Sequence, residues 1–175
     1  MPFTPYHMGP GLLVKAILRG SFSLMVFGWT QVLMDVQPLI VMVTGRGELH
    51  GFSHTYLGAI LIGAAAAVTG KPLFEWSLSA VAPARRRLVR ITWWVALLSG
   101  FLGSASHVAL DSIMHSDVQP FAPVSSSNVL LGLLSQSALH DALVYSGVIG
   151  MVLYLVMSVI ASRPNQRFQQ KAPPA

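Results

Sequence analysis

The sequence predicts an all-α fold, an integral membrane helical bundle of about four transmembrane helices preceded by a short N-terminal half-helix. Three observations predict it. Of 175 residues, 53% are hydrophobic and only 10% charged, with a mean hydropathy of +0.61, whereas soluble domains carry about 25% charged residues. Four stretches, 20–44, 52–70, 91–114 and 139–161, approach the roughly 20 mostly apolar residues that span a hydrocarbon core. The basic residues gather between and after these stretches, in the pattern of cytoplasmic membrane flanks.

The opening MPFTPYHMGP lacks the basic region, apolar core and cleavage site of a signal peptide, so the chain is expected to be unprocessed. Residues 9–18 are too few to cross alone; at about 1.5 Å per residue they cover about half the hydrocarbon and predict a half-depth or re-entrant helix. Lys15 and Arg19 then anchor the start of the second segment. Arg85, Arg86, Arg87 and Arg90 follow the third segment, and Arg163, Arg167 and Lys171 follow the last. By the positive-inside rule, 71–90 and the tail face the cytoplasm, while 45–51 and 115–138 face outward. Arg46 alone among the lysines and arginines is left outside.

Within the inner loop, PLFEWSLSAVAPARRRLVR suggests a short interfacial helix with Phe74 and Trp76 on its apolar side. The outer PFAPVSSSN reads as irregular. Residues 1–162 form a single transmembrane domain on this reading, and 163–175 a disordered cytoplasmic tail. With no cysteine in the chain, disulfides and thiolate metal sites are excluded, and any metal must be held by imidazole and carboxylate. The net charge of +5 belongs to membrane flanks, and no nucleic-acid-binding module accompanies it. The partner it implies is the lipid bilayer.

Ionisable groups inside apolar segments are expensive and normally mark function, at roughly 2.5–3.5 kcal/mol for a central Asp on insertion scales. Here Asp35, Asp111, Asp117 and Asp141 lie inside or at the ends of such segments, as do most of the six histidines. Counted from the cytoplasmic end, His107 stands about 24 Å and Asp111 about 30 Å along its helix. His107, Asp111 and His115 step by four residues, as do His50 and His54, so each set shares one face if the helix extends that far. Two such faces can clasp a divalent ion, for which imidazole and carboxylate favour zinc.

Simpler readings stand beside this one. His140 and His7 can serve as hydrogen-bonding core residues, and Asp35 as a helix-pairing polar group. Asp117 can cap the turn before Pro120, and Asp141 can sit at a helix start where the dipole favours an anion. Glu48 and Arg46 read as loop charges. Gly11, Gly58, Gly63, Gly100 and Gly103 read as close-packing positions, and Tyr6, Trp29, Trp93 and Trp94 as packing or interfacial anchors.

In order along the chain, FTPYHMGPG, QVLMDVQP, HGFSHTYLG and SHVALDSIMHSDVQPFAP resemble the YdjM-like membrane-bound metal-dependent hydrolases, bacterial inner-membrane proteins. The resemblance spans about residues 3–123. It implies His7, Asp35, His50, His54, His107 and Asp111 as metal ligands. Where better-known members carry a Pro-Asp-x-Asp-His element, this chain has Met34, Asp35, Val36 and Gln37. His115 and Asp117, just past the HxxxD element, are candidates to replace the lost ligands or to act as catalytic proton carriers. The function expected is hydrolysis of a phosphodiester or ester bond in a lipid-like substrate by metal-activated water. The alternatives are a metal- or proton-handling carrier built on the same cluster, and a structural subunit whose polar residues only join helices.

Overall fold

The computed structural model describes residues 5–81 and 90–162, and among them every regular element is a helix. The chain is an all-α membrane bundle: α1 (Met8–Leu18), α2 (Leu24–Met34), α3 (Val36–Thr44), α4 (Tyr56–Val81), α5 (Trp93–Met114) and α6 (Gln136–Ser162). Four spans are long and apolar enough to cross a membrane, with α2 and α3 together supplying the first, Leu24–Thr44. The short α1, 11 residues long, is the expected half-depth helix.

Helices α2, α4 and α5 pack on one another, and α1 lies along α6. Lipid tails are as apolar as leucine, so hydrophobicity does not drive helices together in a membrane, and close backbone approach must. The contacts show this. Gly63 of α4 faces Gly100 of α5 so closely that a Cβ on Gly100 would strike the Gly63 carbonyl oxygen. Gly9 and Gly150 do the same for α1 and α6, where a Cβ would meet the Leu143 carbonyl and the Leu13 backbone nitrogen respectively. Alanines 59, 66, 67 and 96 are buried in the interfaces, while the Leu, Val and Ile side chains of α6, Leu139 and Leu143 excepted, are exposed.

Three local expectations are corrected. The segment 20–44 is broken at Asp35, because Pro38 has no N–H to bond the carbonyl of Met34 and its ring crowds that turn. No separate interfacial helix exists at Phe74 and Trp76: α4 runs on through Pro72 to Val81. Its 26 residues span about 39 Å, so its last turns outrun a hydrocarbon core of about 30 Å. Lys71 Nζ to Glu75 Oε1, 2.8 Å, braces this end, and Glu75 Oε1 also accepts from Ile91 N at 2.8 Å. Residues 82–89 and 163–175, which carry Arg85–Arg87 and the expected disordered tail, lie outside the described residues.

Thirdly, His50 and His54 do not share an α-helix. His50 sits in a turn, and Phe52–His54 is a separate 3-10 turn before α4. His115 likewise lies off α5, at its C-cap with extended backbone. The loop after α5, residues 115–135, is irregular, as expected, and folds back over the bundle. Pro120 O accepts from Tyr56 N at 2.8 Å, satisfying an open N–H at the start of α4, and Asn128 Nδ2 donates to Ser112 O at 2.9 Å, satisfying a carbonyl that the end of α5 leaves open.

Candidate metal centre

The ligand-type side chains meet where the break at Asp35, the 3-10 turn and the far end of α5 come together. Asp111 is at the middle. Its Oδ1 lies 3.2 Å from His7 Nε2, and its Oδ2 lies 3.1 Å from His54 Nε2 and 3.3 Å from His107 Nε2. His107 Nε2 is also 3.6 Å from Asp35 Oδ1. His107 and Asp111 are one turn apart on α5, so their side chains share a face, and both are buried, as are His7, Asp35, His50 and His54.

Three overlapping groups bring their ligand atoms within 4.8 Å of one another: His7, His107 and Asp111; Asp35, His54 and His107; and His50, Asp111 and His115. The rings themselves are stacked or edge-on. His7 lies flat on His107, His115 on His50, and His54 meets both His50 and His107 edge to face. All six residues implied as ligands thus fall in one cluster with His115, although they come from four separate stretches of chain.

The second ring nitrogens are engaged outward. His107 Nδ1 pairs with Gln31 Oε1 at 2.8 Å, His54 Nδ1 with Ser53 Oγ at 2.8 Å, and His50 Nδ1 with Asp117 Oδ2 at 2.8 Å. This is the usual arrangement of metal-ligating histidines, whose outer nitrogen is held by an acceptor while the inner one faces the ion. The inner nitrogens fit it. Nε2 of His54 and of His107 are completely enclosed and make no hydrogen bond, although each lies within 3.3 Å of a carboxylate oxygen. Buried polar atoms are rarely left so, and a cation between them and the carboxylates would satisfy both. The donor set, imidazole and carboxylate without thiolate, fits a divalent metal ion.

Electrostatics outside the spans agree. Burial lowers the pKa of His54, against the opposing pull of Asp111, and burial lowers that of His115; both favour the neutral, ligating form. For Asp117, burial acts upward, but the hydrogen bond from His50, the attraction of His50 and His115 and a backbone hydrogen bond together outweigh it, and the carboxyl is held below its ordinary range.

Asp117 sits at the rim, its side chain 53% exposed against 7% for Asp111. A cleft of about 550 Å³ opens beside it, lined by His50, Asp117, Phe52, Leu57, Gln119 and Pro123 among others. Two other polar residues stay out of the centre. His140 stacks on Tyr6 with centroids 4.3 Å apart, and Asp141 is exposed. Arg46 and Glu48 are exposed loop residues.

Gln31, Ser53 and Gln37 were not among the sequence candidates. Gln37 Oε1 accepts from Ser53 N at 2.8 Å, fixing the 3-10 turn that carries His54. Gln31 is legible in retrospect, since it precedes Asp35 by one turn on the same face.

The model of the YdjM inner membrane protein family matches residues 17–165. No curated protein and no solved structure matches the chain. His7 precedes the matched segment.

Proposed function

We propose that this chain, which belongs to the YdjM inner membrane protein family, is a membrane-embedded metal-dependent hydrolase that cleaves a phosphodiester or ester bond of a lipid-like substrate. The observation that carries the reading is the pair of enclosed nitrogens, His54 Nε2 and His107 Nε2, facing Asp111 Oδ2 with no hydrogen bond to either. Asp35, His54, His107, His7, His50 and Asp111 would hold the metal. A divalent ion, zinc by the donor set, supplies Lewis acidity and activates water near neutral pH.

The remaining steps fall to the chain. His115, half-buried and stacked on the cleft-lining His50, takes a proton from the attacking water at an imidazole nitrogen and returns it to the leaving group. Asp117 serves that chemistry through His50, whose Nδ1–H it accepts. Phe52 and Leu57, both exposed, give the cleft an apolar wall on which an acyl chain can lie, so a lipid enters sideways from the bilayer.

The starts of α2 and α5 meet at one end of the bundle, where Ser23 N donates to Ser99 Oγ at 2.8 Å, with the end of α4 beside them through the Glu75–Ile91 hydrogen bond. Lys15, Arg19, Lys71 and Arg90 belong to that end, which supports placing it, and the C-terminus, in the cytoplasm. The metal centre then lies toward the outer face, within one transmembrane domain of residues 1–162. Such one-sided placement favours the hydrolase over the carrier, which needs ionisable positions open to both faces near the midplane.

The test incubates zinc-loaded protein with phospholipid vesicles and follows headgroup and acyl-chain release. Release that chelation and His115→Ala abolish is expected; zinc crossing the membrane without any turnover would establish the carrier instead.

A further inference from the structure

We infer that Gln31 is a positioning residue that locks His107 in its Nδ1–H tautomer, so that the lone pair on Nε2 points into the cluster. The inference rests on the metal reading for its purpose but not for its geometry.

An imidazole and a primary amide can pair in two ways, and their nearness alone does not choose between them. The second end of Gln31 chooses. Its Nε2 lies 3.1 Å from Gly103 O on α5 and 3.4 Å from Phe27 O on its own helix, and carbonyl oxygens only accept. The NH2 group therefore faces those carbonyls, and Oε1 faces His107 at 2.8 Å. Turning the amide over would set its oxygen against both carbonyls and leave its NH2 buried at an imidazole. Gln31 is itself buried, 7% exposed, so water cannot compensate for a flipped amide.

An acceptor at Oε1 requires that His107 Nδ1 carry the hydrogen. In a neutral ring, Nε2 then holds a lone pair. That nitrogen is the one lying 3.3 Å from Asp111 Oδ2 and 3.6 Å from Asp35 Oδ1. Lone pair against carboxylate is repulsive until a cation lies between them, so the lock tunes this position to bind a cation and not a proton donor. The flat stack of His7 on His107, 4.5 Å between centroids, stops the ring from turning away. Gln31 is thus tied to α2, to α5 and to the ring at once. Asp117 does the corresponding work for His50 at the cleft, where a carboxylate that only accepts fixes Nδ1–H.

The experiment reads the tautomer directly. Protein labelled with 15N-histidine and stripped of metal is compared in detergent micelles, at a pH alkaline enough to leave the imidazole rings neutral, as wild type, Gln31→Met and Gln31→Glu, and Zn2+ affinity is measured by competition with a chelating dye. Wild type should show His107 as the Nδ1–H form. Gln31→Met should mix the two tautomers and weaken Zn2+ binding about 10- to 100-fold, the usual scale for losing such a partner. Gln31→Glu, which as the protonated acid keeps a carbonyl acceptor at the ring and an O–H donor toward Gly103 O, should restore both. A residue needed only for packing would not separate Met from Glu in this way. An Nε2–H form in wild type, or a Met variant that keeps both the tautomer and the affinity, would overturn the inference. If the Nδ1–H form depends on Gln31 but no variant binds Zn2+, the lock stands and the metal reading alone fails.

Discussion

His7 and His107 lie face to face, their ring centroids 4.5 Å apart and their planes within 16° of parallel. One comes from the first turn of the described chain and the other from the fifth helix. The stack holds two ligand-type rings side by side at one point of the cluster. Between them and His54 stands one carboxylate, Asp111, which touches all three.

Asp111 should therefore be the residue on which metal retention depends most. Protein purified without chelator is expected to carry stoichiometric zinc, manganese or iron by mass spectrometry, while Asp111→Asn, and His107→Ala beside it, lose at least tenfold in affinity, about 1.4 kcal/mol. Wild-type protein that is folded yet free of these metals would remove the enzyme reading in this form.

Helix packing gives a second expectation. Gly100→Ala forces its Cβ onto the Gly63 carbonyl, whereas Gly20→Ala meets nothing within 4 Å. The first should lower stability in detergent by roughly 1–3 kcal/mol, the ordinary scale of overpacking, and the second should change it by less than about 0.5 kcal/mol. Equal melting temperatures for the two variants would show that α4 and α5 are not held by this crossing.

Acid should weaken the metal-free protein from two directions. Burial lowers the pKa of His115, so in the unfolded chain it binds a proton first, at about pH 6.5; stability falls as pH drops below that value. The Asp117 carboxyl, raised by burial but lowered by more through His50, His115 and a backbone hydrogen bond together, is depressed in the fold. Its contribution is present above the unfolded value of about 3.9 and disappears as pH falls through the folded value. Melting temperature measured from pH 8 to 3 with chelator present should thus decline in two stages. His115→Asn should flatten the upper stage and Asp117→Asn the lower; a variant profile parallel to wild type would contradict the assignment.

The cleft can be tested without touching the metal cluster. Leu57 and Ala122 line it but are not among the ligand-type side chains. Replacing either by Trp should leave metal content unchanged and lower kcat/KM for a lipid by about tenfold or more, a barrier change of about 1.4 kcal/mol. Unchanged turnover would place the substrate elsewhere.

Much of the bundle was legible because membrane burial imposes rules that act on composition. Runs such as Trp93–Met114 declare themselves by length, and the HxxxD spacing of His107 and Asp111 by helical period. The same period misled at His50 and His54. Their spacing of four suggested a helix face, yet Gly51 and a 3-10 turn lie between them, and their rings meet edge to face at 4.9 Å through a different local path. His115 reaches the cluster from extended backbone, stacked on His50 at 4.4 Å. Helical spacing describes only residues within one helix, so it is silent about turns.

By itself the sequence determined the fold class, the number of spans and the set of costly ionisable residues, since each follows from how water and hydrocarbon treat a local stretch of chain. It also carried the family resemblance that singled out six ligand candidates. Only the tertiary structure decided that Asp111 bridges three histidines, that Gln31 and Asp117 hold the outer nitrogens of His107 and His50, and that His140 and Asp141 stand aside. Those relations depend on how closely helices cross and where a proline breaks one of them, and such distances belong to pairs of segments, not to any one stretch of sequence.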